Sequence, residues 1–269
     1  MNSDKKLVGK VALVTGGSKG IGASIVKKLA QEGARVYFCA RESKSFYELE
    51  KQSKQKGFIV KGIIADVTKI NEIKRIFLII KKDIGILDIL INNVGGAIKY
   101  GGFFDLEDKD WINTFEFNVL PVVRFVKEAT PLLKKSNLKR IVNISSIVSI
   151  QPGFYNPHYS LTKSAIVNLT KHLSKIFAKD KILVNVVCPG PVHSSAWDEN
   201  VNNLSKIKNS SFNEEWKIME NEESKKIPLG RVGEPEDISG IVNFLCSKDS
   251  SWITGSVFHV NGGKLSTIY

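Results

Sequence analysis

Apolar runs of strand length alternate along this chain with longer amphipathic stretches, and that alternation constrains the fold more than any other feature. Val11 to Thr15 precedes Ile21 to Gln31, Arg35 to Ala40 precedes Ser45 to Lys56, and Ile59 to Ala65 precedes Lys69 to Ile84. Strand then helix, repeated, predicts βαβ units and a parallel sheet. The rhythm continues with Leu87 to Asn92, one long helix from Asp108 to Lys135, Arg140 to Ser145 and a helix through Tyr159 to Ala178. Ile182 to Val187, a helix over Pro235 to Ser247 and a strand over Ser256 to Val260 complete it. Strands so rich in Val, Ile and Leu are expected where helices cover both faces. The expectation is an α/β, doubly wound three-layer sandwich with a mainly seven-stranded parallel sheet, residues 1–269 forming one domain.

Residues 194–226 break the rhythm, carrying Asn, Ser, Glu and Lys with scattered Trp197, Phe212, Trp216 and Ile218. The segment follows a strand end, where open α/β sheets bind ligands, so a mobile substrate lid inserted in the domain is expected. A surface excursion with two short helices is the plainer alternative. The net charge of +12 raises nucleic acid, an anionic membrane or an acidic protein as partners. The lysines, however, are spread along the whole chain without an aromatic-interleaved basic block, so no nucleic-acid partner is expected. Met1 to Lys6 is polar and charged, and the apolar stretch Ile76 to Ile91 is broken by Lys81-Lys82-Asp83. Neither a signal peptide nor a membrane span is expected, and a cytoplasmic location is. Cys39, Cys188 and Cys246 stand far apart and form no ligand cluster with the four histidines, so no metal site is expected.

The run Thr15-Gly16-Gly17-Ser18-Lys19-Gly20-Ile21-Gly22 joins a predicted strand to a predicted helix. Glycines permit a tight turn and close approach of a pyrophosphate, while a helix's first turn presents free N–H groups to the anion. A dinucleotide site of the NAD type carries an acidic residue at the end of the second strand, on the ribose 2′-hydroxyl. Here that end reads Cys39-Ala40-Arg41, and Lys19 lies in the loop. Two cations there suit a 2′-phosphate, so NADP(H) is expected over NAD(H); Glu42, one residue on, is the contrary sign.

Tyr159 and Lys163 lie four residues apart, with Ser146 upstream. On a helix the two share a face, so the ammonium can set a positive field against the phenol. Bringing a phenol from pH ~10 to neutrality requires roughly 4 kcal/mol, which one charge at ~4 Å and an effective dielectric of ~20 supplies. Tyr159 is therefore read as an acid/base whose pKa is lowered by Lys163.

At this point the chain resembles the short-chain dehydrogenase/reductase family over nearly its whole length, in its compact Rossmann-fold form. Thr15 to Gly22 resembles the family's TGxxxGxG loop, Asp66-Val67 its adenine-side pair, and Asn92-Asn93-Val94-Gly95 its NNAG segment, with Val94 in place of a small alanine. Asn118, Ser146, Tyr159 and Lys163 match the catalytic set. Pro189-Gly190-Pro191-Val192 resembles the segment bounding the nicotinamide pocket, with Ser194 where a threonine is frequent. Gly230-Arg231, Pro235 to Ile238, Ile253-Thr254-Gly255 and Val260 to Gly263 resemble the closing segments.

The resemblance implies a cofactor site built from Gly16, Ser18, Lys19, Gly20, Ile21, Gly22, Arg41, Asp66, Val67, Asn93, Val94, Gly95, Tyr159, Lys163, Pro189, Gly190, Val192 and Ser194. It implies that Tyr159 protonates a carbonyl oxygen that Ser146 hydrogen-bonds, that Lys163 also binds the nicotinamide ribose, and that Asn118 helps to hold a water. A homotetramer through the helices near Asp110 to Leu133 and Tyr159 to Ala178 and the final strand is implied as well.

Ser149, Ile150, Gln151, Gly153, Phe154, Tyr155, His158, Val192, His193 and Trp197 surround the expected pocket and carry few charges, suggesting a neutral or amphiphilic small-molecule ketone or aldehyde, or the corresponding alcohol. A 3-oxoacyl-[acyl-carrier-protein] reductase is the alternative, its acyl-carrier protein docking on Lys134, Lys135, Lys139, Arg140, Lys175 and Lys179. A non-catalytic NADP-binding scaffold is the reading from another class.

Overall fold

Successive side chains of a strand face opposite sides of a sheet, and here both sides are apolar. In the computed structural model, which describes residues 5–267, β1 (Val11–Thr15) sends Val11 and Leu13 into one core and Ala12 and Val14 into another. β2 (Arg35–Ala40) divides likewise, with Tyr37 and Cys39 on one side and Val36 and Phe38 on the other. Each such fully buried aliphatic side chain contributes roughly 1.5–3 kcal/mol, which makes the two-sided pattern the main determinant of the layers. The remaining strands are β3 (Val60–Ile64), β4 (Ile89–Asn92), β5 (Arg140–Ile144), β6 (Leu183–Pro189) and β7 (Val257–Val260). All pair in parallel, in the order β3-β2-β1-β4-β5-β6-β7. The sheet is thus the parallel, seven-stranded one that the sequence predicts.

Helices α1 (Gly20–Gln31), α2 (Lys44–Gln55) and α9 (Pro235–Cys246) cover one face. The other is covered by α3 (Ile70–Asp83), α5 (Leu120–Leu133) and α6 (Pro157–Phe177), with α4 (Asp108–Asn118) packed against α5 and α6. The single long helix expected from Asp108 to Lys135 is in fact two, parted at Val119. Pro121 supplies the reason: it has no N–H for the carbonyl of Phe117, four residues back, so the helix restarts there.

Residues 194–226 form a helical pair, α7 (Ser195–Lys208) and α8 (Phe212–Lys225), linked through Asn209 at φ 54°. The pair has a small core of its own, in which Trp197, Val201, Ile227 and Val232 are buried against Trp216 and Met219. Glu215, at 3% exposure, is held there by Lys208 at 2.9 Å and Ser210 at 2.8 Å. No helix among the described residues is long and apolar enough to cross a membrane. Most of the polar and charged stretch Met1 to Lys6, namely Met1 to Asp4, lies outside the described residues.

Candidate active site

Because every strand runs the same way, their carboxyl ends share one edge of the sheet, and the candidate residues stand just past those ends. Gly16 follows β1, Arg41 follows β2, Asp66 lies beyond β3, Asn93 follows β4, Ser146 lies beyond β5 and Pro189 closes β6. Between β1 and β4 the strand order reverses direction, opening the crevice in which doubly wound sheets bind ligands.

The glycine loop lines that crevice. Gly16 and Gly20 have φ of 65° and 54°, a region side chains avoid. A Cβ on Gly22 would lie 2.1 Å from the Gly16 carbonyl oxygen, and one on Gly17 2.5 Å from the Cβ of Phe38. Lys19, at the N-cap of α1, makes no side-chain cap, so the first-turn N–H groups, among them those of Ile21 and Gly22, stay open to an anion. Thr15 ties the loop to the next strand end: its Oγ1 accepts from the N–H groups of Asn93 at 2.9 Å and Val94 at 3.2 Å. Asn93 answers by donating to the carbonyls of Thr15 at 3.0 Å and Gly16 at 3.2 Å. Ser18 and Val67 are buried at the same edge, and Val94 reaches within 3.0 Å of the space a Gly16 Cβ would fill. Ser194 closes the far side, its Cβ 3.4 Å from the corresponding point on Gly20. A loop with no Cβ at Gly16, Gly17, Gly20 and Gly22, closed by a helix start, fits a dinucleotide pyrophosphate.

At the adenosine end, Arg41 is exposed, and neither its side chain nor that of Lys19 makes a hydrogen bond or ion pair among the described residues. Glu42, the contrary sign in the sequence, accepts the hydroxyl of Tyr47. Burial pushes the Asp66 carboxyl up, but the N–H and hydroxyl of Thr68, at 2.9 and 2.7 Å, together with Lys69 and Arg41, hold it below the usual range. A carboxylate so occupied suits an adenine-side role better than a ribose one.

Tyr159, Lys163, Ser146 and Asn118 converge from α6, the turn after β5 and the end of α4. The Lys163 Nζ is 5.6 Å from the Tyr159 ring centroid, donates to the Ile144 carbonyl at 3.0 Å, and would meet a Cβ on Gly95 at 2.7 Å. Ser146 is placed to hydrogen-bond the phenol. Asn118, 1% exposed, accepts from the Gly96 N–H at 2.8 Å and donates to the Gly96 carbonyl at 3.1 Å and to Thr162 Oγ1 at 2.9 Å. Its side chain thereby pins the loop after β4 to α6, a bracing function that no sequence motif marks.

The electrostatics correct one expectation. Burial pushes the Tyr159 phenol up to about 12, the Ser146 hydrogen bond only partly opposing it, and Lys163 does not draw it toward neutrality. Burial likewise pulls the Lys163 ammonium down to about 8. Desolvation outweighs the field of a cation that is itself desolvated. In the protein without cofactor Tyr159 is a proton-bearing acid, and Lys163 is a poorly compensated cation with one of its three N–H groups used.

Of the other residues expected around the pocket, His158 is fully buried with neither ring nitrogen hydrogen-bonded, its ring 6.0 Å from that of Trp111. Trp197 belongs to the α7–α8 core. Cys188 is buried with Sγ 3.7 Å from Ser149 Oγ, and burial raises its thiol, as suits packing. Phe154 and Tyr155 remain exposed, Tyr155 stacking on Tyr100 at 5.1 Å. The expected basic docking face loses a member: Arg140 is 5% exposed and donates to the carbonyls of Leu138 and Ser247. It begins β5, so this group lies at the sheet edge opposite Ser146.

Comparison with known proteins gives matches of nearly full length. A family model described as enoyl-(acyl carrier protein) reductase matches residues 16–264. The chain is similar to human dehydrogenase/reductase SDR family member 4, 33% identical over 264 residues, 97% of this chain and 90% of that protein. It is similar to the 3-oxoacyl-[acyl-carrier-protein] reductase FabG of Aquifex aeolicus, 32% identical over 96% of this chain and 98% of that one. Among solved structures, L-sorbose reductase from Gluconobacter frateurii, complexed with NADPH and L-sorbose, superposes with a TM-score of 0.91 at 30% identity, covering 98% of this chain and 100% of that one.

Proposed function

The chain belongs to the short-chain dehydrogenase/reductase family, and on that premise we propose that it is an NADP(H)-dependent oxidoreductase interconverting a ketone or aldehyde and an alcohol, with Tyr159 as general acid/base. The observation that carries the reading is the convergence of Tyr159, Ser146 and Lys163 at the same sheet edge as a glycine-rich loop at the switch point. The NADP(H) assignment is supported by the side chains of Arg41 and Lys19, which make no hydrogen bond or ion pair among the described residues, by the engagement of Glu42 with Tyr47, and by the NADPH in the complex of the similar sorbose reductase.

When bound, the dinucleotide supplies or accepts the hydride. In reduction Tyr159 gives its phenolic proton to the carbonyl oxygen, and Ser146 donates a hydrogen bond to the same atom. A phenol at about 12 holds that proton throughout the neutral range. Lys163 would offer its free N–H groups to the ribose hydroxyls and its charge to the phenolate that remains. Asn118 keeps Gly95 and Gly96 against Lys163. The rim of exposed Ile98, Tyr100, Phe154 and Tyr155 favours a neutral substrate with an apolar body.

A carrier-linked 3-oxoacyl thioester is the second reading, favoured by the similarity to FabG and weakened by a basic face at the far edge of the sheet. A non-catalytic NADP-binding scaffold is the third. A homotetramer is proposed on the exposed Ile112, Phe115 and Leu161, which border a hollow of about 360 Å³ on α4 and α6. The test is a panel of neutral ketones, aldehydes and acyl thioesters with NADPH and NADH in parallel, followed by nicotinamide absorbance. Turnover with NADPH that disappears in Tyr159→Phe is expected; NADH preference would overturn the cofactor assignment, and turnover that survives Tyr159→Phe the mechanism. Rates on carrier-linked thioesters that fall steeply with salt, with free thioesters unaffected, would favour the second reading.

A further inference from the structure

The turn after β6 ends on a side chain for which the reaction has no use. His193 lies with Nδ1 2.8 Å from Glu234 Oε1 and Nε2 2.6 Å from Glu220 Oε2. Ionised carboxylates only accept, so a ring facing one on each side must carry both N–H protons and be an imidazolium. The ring is packed between two indoles, edge-on to Trp197 at 5.4 Å and tilted over Trp216 at 5.2 Å. One side chain thus joins the turn after β6, helix α8 through Glu220, and the residue preceding α9.

The surrounding charges leave that task to His193. Arg231 is committed to Asp237 by a two-pronged pair at 2.7 and 2.9 Å, and Asp237 also accepts the Glu234 N–H at 2.8 Å. Lys226 and Lys264 both pair with Glu223 on α8. Glu220 receives in addition only the hydroxyl of Ser224, at 3.3 Å. On α7, Asp198 in the first turn is the nearest charge along the chain. Among the described residues His193 is therefore the cation paired with Glu220 and Glu234.

Its position in the chain makes the tie consequential. The next residue, Ser194, caps α7 and lies against Gly20 of the glycine loop. The His193 N–H donates to the Gly233 carbonyl at 2.9 Å, anchoring the turn from behind. We infer that His193 is a positioning residue for the dinucleotide: its imidazolium clasps the α7–α8 pair onto the turn after β6, so setting Ser194 against the phosphate loop, and loss of its proton loosens that pair. The inference rests on the cofactor reading above.

Burial alone would lower the His193 pKa, but the bonds to Glu220 and Glu234 outweigh it and raise it. The clasp is therefore complete below about pH 6.5, where even a free imidazole is largely protonated, and is lost as pH climbs through the raised value.

The test measures hydrogen exchange over residues 195–226 of the cofactor-free protein at pH 6 and pH 9, in the wild type, His193→Gln and Glu220→Gln, alongside the NADPH dissociation constant and steady-state kinetics. The wild type should exchange faster there at pH 9 than at pH 6, after correction for intrinsic rates, with β1 to β6 unaffected. His193→Gln should exchange about tenfold faster at pH 6 and lose the pH difference, and its Kd and KM for NADPH should rise by about the same factor, equivalent to about 1.4 kcal/mol, with kcat within about twofold. Glu220→Gln, which keeps the ring, should reproduce these effects in part and decides the matter if His193→Gln fails to fold. Unchanged exchange in both variants, or a pH difference that persists in His193→Gln, overturns the clasp. Failure of the wild type to bind NADPH overturns the cofactor reading and the positioning role, while the exchange data separately decide whether the clasp exists.

Discussion

Replacing Lys163 by methionine should stabilise the cofactor-free protein at neutral pH, even though it removes a residue proposed to be essential. The ammonium is 4% exposed, pulled from 10.5 to about 8 by burial, and offered one carbonyl, that of Ile144. A displacement of that size corresponds to about 3 kcal/mol of disfavour for the charged form. Between about pH 8 and 10.5 the unfolded chain binds a proton that the folded chain has released, so stability rises with pH over that window. Tyr159 acts oppositely: with a folded value of about 12 it retains its proton where the unfolded phenol, near 10, loses it, so its contribution is present below 10 and falls away above. The rise should therefore be visible from about pH 8 to 10. Methionine preserves length and apolar contact but leaves the Ile144 carbonyl without its donor, costing about 1–2 kcal/mol. The net gain expected for Lys163→Met at pH 7 is about 1–2 kcal/mol, cancelling at about pH 9.5 and becoming a loss of about 1–2 kcal/mol above pH 10.5, where only the missing carbonyl donor counts. Urea denaturation of both proteins at pH 7 and pH 9.5 reads this directly. A variant that is less stable at pH 7 by the same margin as at pH 9.5 would show that the buried ammonium is compensated, and the desolvation argument would be wrong.

Arg41→Ser should lower kcat/KM for NADPH about tenfold while leaving that for NADH within about twofold; adding Lys19→Ser should give less than the product of the two single losses, since both would address one phosphate. Equal losses with NADPH and NADH would refute the assignment. Tyr159→Phe should lose about 10²-fold or more in kcat with circular dichroism and NADPH binding retained, and a loss of less than about threefold would remove the phenol from the mechanism. Gly22→Ala, whose Cβ would meet the Gly16 carbonyl oxygen at 2.1 Å, should destabilise by about 1–3 kcal/mol and abolish NADPH binding; a thermal midpoint equal to the wild type's would show that the loop can yield. Tyr155→Ala, at the exposed rim and stacked on Tyr100, should change the ranking of ketones in the panel without changing the NADPH Kd, and an unaltered ranking would place the substrate elsewhere.

What the sequence made legible follows from periodicity and order. The seven strands were readable because both faces of the sheet are buried, which leaves continuous Val, Ile and Leu; Gly16, Asn93, Ser146 and Pro189 could be placed together because parallel strands put their carboxyl ends on one edge. The split of the predicted helix at Val119 was also within reach, since Pro121 marks a helix start as readily as it interrupts one. The polar ties are another matter. Asn118 to Gly96 and Thr162, Thr15 to Asn93 and Val94, and His193 to Glu220 and Glu234 each join elements far apart in the chain through side chains whose types fit many roles.

The sign of the Tyr159 shift shows where spacing ceases to inform. Four residues on a helix fix that Lys163 and Tyr159 share a face, and Coulomb's law then gives an attraction whose size depends on an assumed dielectric. The same burial that strengthens the attraction also strips water from both groups, and that second effect grows with the depth of a pocket built by β5, β6 and α6 rather than with any local spacing. Here it prevails, pushing the phenol up to about 12 and the amine down to about 8. Both displacements favour uncharged forms, and both would be eased by a ligand supplying hydroxyls to the amine and a carbonyl oxygen to the phenol. The pair is thus least comfortable without ligand, which is why the stabilising effect of Lys163→Met should reverse when NADPH is present.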